Sequence, residues 1–172
     1  MIFVTVGTEQ FPFNRLLHWV GRAVSKGQIQ EEVIIQAGSC TDTVEGATIH
    51  STLTQQDFRE ISRKARAIIS HCGEGSFFAL RDLEKPFILV PRRHGLGEHL
   101  DDHQWEMAKA LSKLGIPIGW MPVDIQEFIQ ETPAYKEVSL PASFLIDNMI
   151  ERYAPLQSEE RLPQWDNPGF AL

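Results

Sequence analysis

The feature that most constrains the fold is a series of short, unbroken apolar runs, each closed by a turn residue and followed by residues at helical spacing. Ile2 to Val6 is the first, ended by Gly7-Thr8. After Pro12, the residues Phe13, Leu16, Leu17, Val20 and Val24 recur along one helical face until Gly27 stops them. Glu32 to Ala37 forms a second buried-strand pattern, and the loop Gly38 to Gly46 leads to a short strand around Ala47 to His50. Thr54 then stands at the N-cap of a helix carrying Phe58, Ile61 and Ala65. The unit repeats with a strand at Arg66 to Ser70, a glycine-rich turn at His71 to Ser76 and a helix at Ser76 to Leu83. Next come a strand at Phe87 to Val90, a long loop at Pro91 to Leu100, and a helix from about Asp101 to Leu114 with Trp105, Ala108 and Leu111 inward. Gly115 ends that helix, Ile116 to Trp120 is the last short strand, and Asp124 caps a small helix through Ile129.

Runs this apolar, without alternation, are strands buried on both faces, as in a parallel sheet covered by helices. The expected fold class is therefore α/β, a doubly wound, mostly parallel sheet of about six strands with its ligand crevice at the carboxyl ends of the strands. One domain over residues 1–150 is expected, with a further helix at Ser143 to Tyr153. Residues 151–172 carry Pro155, Pro163 and Pro168 and no periodicity, the mark of a tail that docks on something or stays disordered.

The 172 residues suffice for one core that buries about 70% of the unfolded surface without staples. A net charge of -7 argues against nucleic acid, because phosphate neutralisation needs clustered Lys and Arg. The opening MIFVTVG lacks a basic stretch and a cleavage site, so export is not expected, and no run reaches membrane-spanning length. Cys40 and Cys72, without a CxxC pattern, are expected to be free thiols in a reducing compartment.

Two glycine turns follow strands and open helices: Gly7-Thr8, and Gly73-Glu74-Gly75-Ser76. Backbone N–H groups at a helix start, with the dipole behind them, suit phosphate oxygens, and glycine lets a ligand approach the backbone. A diphosphate is the natural guest. Neither turn is the G-x-G-x-x-G fingerprint or a P-loop, which disfavours NAD and ATP. The loop Pro91 to Gln104 concentrates Arg92, Arg93, His94, Glu98, His99, Asp101, Asp102, His103 and Gln104 after a buried strand, too long and polar for a mere connection. His99 and His103, spaced i, i+4, invite a metal reading with Glu98 or Asp102, but the arrangement lacks the H-E-x-x-H pattern. No G-x-S-x-G elbow supports a hydrolase triad.

Together, Phe3-Val4-Thr5-Val6-Gly7-Thr8, Ser70-His71-Cys72-Gly73-Glu74-Gly75-Ser76, Lys85 to Pro91, and Gly97 to Gln104 resemble the family 28 glycosyltransferases. The match is to their short form, the catalytic subunit of the two-protein N-acetylglucosaminyltransferase acting on dolichol-linked sugar and its bacterial exopolysaccharide and capsule counterparts. The resemblance implies a Rossmann-like GT-B C-terminal half-domain and inverting, metal-independent hexosyl transfer from a UDP-sugar of the GlcNAc or galactose type. In that picture Gly7, Thr8, Gly73, Glu74, Gly75 and Ser76 hold the diphosphate, and Arg92 approaches the phosphates or faces solvent. His71, Glu98, His99 and Gln104 also bind the UDP-sugar, Gln104 through sugar hydroxyls, and Asp102 and His103 take the catalytic roles. A lipid-linked acceptor would belong to a membrane-associated partner subunit, recruiting this chain from the cytoplasm to the inner face of the membrane. In isolation an apolar partner-facing patch would favour a homo-oligomer.

One position departs from the family pattern. Its usual glutamate three residues after the turn serine, on the nucleotide ribose, is Ala79 here, with Asp82 one turn further along as a substitute. Two alternatives follow, a non-catalytic scaffold that has lost ribose recognition and a UDP-sugar 2-epimerase on the same architecture, against which the short chain counts. A metal-dependent hydrolase on His94, His99 and His103 is a third.

Overall fold

The computed structural model describes residues 1–140, of which Met1–Val138 form one compact unit. The expected helix at Ser143 to Tyr153 and the tail at 151–172 lie outside the described residues. Five strands, β1 (Ile2–Thr5), β2 (Val33–Gln36), β3 (Thr48–His50), β4 (Ala67–His71) and β5 (Phe87–Val90), form one parallel sheet in the order β3-β2-β1-β4-β5. Five α-helices accompany them: α1 (Asn14–Ser25), α2 (Gln55–Lys64), α3 (Glu74–Arg81), α4 (His103–Lys113) and α5 (Pro122–Glu131). The register sets Ile2 beside both Val33 and Ala67, so β1 is the central strand.

β1, β4 and β5 are buried at every position, as their unbroken apolar runs require. β3 differs. It is an edge strand with Thr48 and His50 exposed, which its polar residues permit. The expected sixth strand is reduced to a single parallel bridge between Leu89 and Ile118, with Leu89 N donating to Pro117 O at 3.0 Å and Gly119 N to Leu89 O at 2.8 Å. Pro117 has no N–H to extend that ladder.

The α1 stripe buries Leu16, Leu17, Val20 and Ala23 against the sheet, each fully buried Leu or Val contributing roughly 1.5–3 kcal/mol. Thr54 caps α2 as its sequence suggests, accepting from Asp57 N at 3.1 Å. In α4 the inward residues are Gln104, Met107, Ala108 and Leu111; Trp105 is instead half-buried and stacks edge-on against Trp120, centroids 4.7 Å apart. Asp124 stands three residues into α5 and accepts from the N–H groups of Trp120 and Met121, both at 2.8 Å. The α5 end is tied to the amino edge of the sheet by Arg66, which donates to Ile129 O, Thr132 and Glu31, while the Met1 ammonium donates to Glu31 Oε2 at 2.8 Å.

Candidate functional site

The strand order reverses between β1 and β4: from β1 the chain moves outward to β2 and β3, then returns to the other side for β4 and β5. Such a switch point opens a crevice at the carboxyl ends of the strands. Gly7 leaves β1 and Gly73 follows β4, so the two glycines stand at adjacent strand ends on that edge. The frame of the site is therefore set by topology and by two residues without side chains.

Between them lies His71, the last residue of β4. A Cβ at Gly7 would come within 2.5 Å of His71 Cε1, and a Cβ at Gly73 within 2.4 Å of its Nε2, so any side chain at either glycine would displace the imidazole. Gly7 also needs its left-handed φ of 79°, and Gly38, after β2, closes over it with 2.6 Å from an added Cβ to Gly7 O. Two polar residues in otherwise apolar strands hold the first turn: Thr5 Oγ1 bonds the Gln36 side chain and accepts from Gly7 N at 3.3 Å, and Gln36 Nε2 donates to Gly7 O at 3.2 Å. Burial first, and then the Arg92 charge, push the His71 pKa down to about 3. His71 is thus a neutral wedge that spaces the two turns, and it brings no positive charge to an anion.

The glycine turns are not equivalent, contrary to the expectation that both open helices. Gly73 is itself the N-cap of α3, whereas α1 starts only at Asn14, so Gly7 and Thr8 belong to a loop. The second turn is also shorter than expected, since His71 completes β4 and Glu74 already begins α3. Thr8 and Gly75 are exposed, and Glu74 and Ser76 half-buried, at the mouth of the edge.

The loop after β5 is folded inward by charge. Arg92, expected on phosphates or in solvent, is completely buried: Nη1 donates to Phe11 O at 2.7 Å and Glu98 O at 2.9 Å, and Nη2 donates to Val6 O at 2.7 Å. Its guanidinium also lies 4.8 Å from the Phe13 ring centre. Burial lowers its pKa, an expense that Glu98 and Glu9 offset by their charge. Glu98, expected on the UDP-sugar, is buried as well. It receives Arg15 in a two-pronged ion pair, both contacts 2.8 Å, and accepts from Arg93 N at 3.0 Å. Gln104, expected on sugar hydroxyls, is buried with Oε1 accepting from Arg92 N at 3.2 Å. These three residues build the loop.

The rest of the loop stays at the surface. Asp102 is exposed at the N-cap of α4 and accepts from His94 N at 3.1 Å. His103 begins α4, its N–H bound to Asp101 Oδ1 at 3.0 Å and its Nε2 buried without a partner. His99 lies outside the helix, so the i, i+4 relation proposed with His103 does not hold. No group of three or more His, Cys, Asp or Glu suited to a metal ion is present among the described residues. Ala79 is exposed on α3, and Asp82 is the C-cap of that helix, about 14 Å from Gly73 along the axis and one turn beyond Ala79. Both cysteines are free, Cys40 accepting from Phe13 N and Cys72 buried, which pushes its thiol up to about 12.

Thr5, Gln36, Gly38 and Arg15 are not among the site residues expected from the sequence. A polar residue closing each of the apolar strands β1 and β2 was the available signal for the first two. Arg15 and Glu98 are 83 positions apart, and nothing local pairs them.

A parallel sheet with glycine turns at its switch point is a Rossmann-like arrangement, which GT-B glycosyltransferases share. The sequence matches the glycosyltransferase family 28 C-terminal domain over residues 1–138, and the chain belongs to that family. The UDP-N-acetylglucosamine transferase subunit ALG13 of Cryptococcus neoformans var. neoformans serotype D (strain JEC21) is 37% identical over 76 residues, 43% of this chain and 36% of that relative. In fold, the chain is similar to the calicheamicin glycosyltransferase CalG4 (TM-score 0.54, 15% identity, 76% of this chain and 32% of that one). It is also similar to MurG of Acinetobacter baumannii (TM-score 0.51, 19% identity, 76% and 41%). The match thus spans about a third of the curated relative. No described helix is long and apolar enough to cross a membrane.

Proposed function

We propose that the chain holds the donor in a glycosyltransferase. It binds a UDP-sugar of the GlcNAc or galactose type and passes the sugar, with inversion and without a metal, to a lipid-linked acceptor in polysaccharide biosynthesis. The acceptor sits on a membrane-associated partner subunit, which brings this chain to the cytoplasmic face of the membrane. One observation carries the reading: Gly7 and Gly73 follow adjacent strands at the switch point, and Gly73 caps a helix whose positive dipole end lies at that edge. Departing UDP then finds fixed donors in place, which lowers the barrier because nothing reorganises as charge develops.

Calorimetric titration of the full chain with UDP tests the binding, with heat and a thermal shift expected at millimolar ligand or below. Transfer from UDP-N-acetylglucosamine or UDP-galactose is expected only after the membrane partner is added. A normal turnover rate from the chain alone overturns the division of labour. Ala79, in place of the glutamate that the family pattern sets on the ribose, favours a second reading, a scaffold without nucleotide. Absence of UDP heat would select it.

A further inference from the structure

The loops of the carboxyl edge offer few groups that can turn positive charge toward an anion. Arg92 spends donors on three carbonyls, Arg15 is held by Glu98, and the Arg93 guanidinium lies over Trp105 at 4.6 Å. No lysine occurs in residues 6–13, 37–47, 72–76 or 91–104. His71 is neutral, the His103 Nε2 is buried, and His94 turns its Nδ1 back to His99 O at 3.2 Å.

His99 is arranged differently. Its Nδ1 lies 2.9 Å from Asp101 Oδ1, and its Nε2 makes no hydrogen bond among the described residues. The Phe11 ring, from the loop that follows Gly7, packs beside it at 6.4 Å, and after burial and Arg92 the neighbouring His99 adds to the lowering of the His71 pKa. The side chain is 13% exposed, sheltered but reachable. Asp101 is held below the usual carboxylate range, chiefly by the His103 N–H and then by His99 itself, so it remains an anion beside the imidazole. A histidine fixed at one nitrogen by a carboxylate presents the other in a set direction.

Resting on the UDP-sugar reading above, we propose that His99, oriented by Asp101, is the titratable cation of the donor site, its protonated Nε2 donating to the diphosphate of the bound nucleotide sugar. During transfer the acceptor oxygen bonds to the anomeric carbon, the bond from that carbon to the diphosphate breaks, and its electron pair stays on the diphosphate. The acceptor proton passes to a base on the partner. His99 keeps its own proton and balances the negative charge that collects beside it.

The test is calorimetry of the full chain with UDP-N-acetylglucosamine and UDP-galactose, whose phosphates do not titrate near neutrality, and with uridine, from about pH 5.5 to about pH 8.5. The other groups around His99 that titrate or carry charge are Asp101 and Glu98 in its own loop, His94, His103 at the start of α4, Arg92 beyond β5, Glu9 in the first loop and His71 in β4. Nucleotide-sugar affinity is expected to fall as pH rises, while uridine affinity stays flat. His99→Gln should bind the nucleotide sugar roughly tenfold more weakly at low pH and without a pH slope. Asp101→Asn should keep the slope but move its midpoint to lower pH, a shift that loss of loop structure alone would not produce. The proposal is overturned if His99→Gln, with an unchanged thermal melt, retains the wild-type affinity and slope. Failure of the wild type to bind any of the three ligands would instead bring down the nucleotide reading on which it rests.

Discussion

At the residue scale, single atoms decide what the edge tolerates. Gly73 has an ordinary φ of -87°, so any L-residue could adopt its backbone, yet an added methyl would meet His71 Nε2 at 2.4 Å. Gly73→Ala is expected to destabilise the fold by about 1–3 kcal/mol through overpacking. A double-mutant cycle with His71→Ala separates the clash from the loss of flexibility, because removing the imidazole should recover part of the cost and give a favourable coupling. Additive effects in denaturant unfolding would mean that the two residues do not compete for space. The sequence names Gly73 as a glycine in a turn and His71 as its neighbour. It does not show that one imidazole serves both Gly7 and Gly73, because that depends on β1 lying beside β4, more than sixty positions away in the chain.

Among the elements, the helices differ in how firmly they are seated. α1 buries four apolar residues against the sheet, while α5 ends on the polar clamp of Arg66, whose two terminal nitrogens reach Ile129 O at 3.2 Å each. Arg66→Ala should therefore speed amide hydrogen exchange in the last turn of α5 and reduce stability by about 1 kcal/mol, with α1 unaffected. Equal acceleration in both helices would show instead that Arg66 supports the whole sheet. Glu31 takes part in the same clamp, its carboxyl held down to about 2 first by Arg66 and also by the Met1 ammonium. Periodicity foretold the α1 face because its apolar residues follow one stripe. For α4 it turned Trp105 inward, where the structure pairs the ring with Trp120 near the surface and gives the buried place to Gln104. A buried amide is invisible to hydrophobic spacing, since its partner, the Arg92 N–H, is supplied by another element.

For the molecule as a whole, burying a neutral histidine makes stability depend on pH. The His71 pKa falls from 6.5 in the open chain to about 3 when folded, so between those values the unfolded state binds the extra proton and stability rises with pH. This contribution is lost as pH drops from 6.5 toward 3, and unfolding free energy should be about 2 kcal/mol lower near pH 5 than near pH 7. His71→Asn should flatten that segment in urea titrations, and a profile unchanged by the substitution would place the acid sensitivity elsewhere. Glu31 adds little to the difference between pH 5 and pH 7, since its stabilising charge is lost only as pH falls through 4.5 toward about 2. By itself the sequence determined the α/β class, the parallel sheet and the two glycine turns, because strand and helix periodicity and turn chemistry are local properties of the chain. The four family-like segments, read in order, likewise pointed to family 28, and the match over residues 1–138 bears this out. Only the tertiary structure decided which polar residues of the long loop face outward, because burying Arg92 and Glu98 requires the carbonyls of Val6 and Phe11, in the segment after β1, and Arg15 from α1, and such partners become neighbours only when the sheet is assembled.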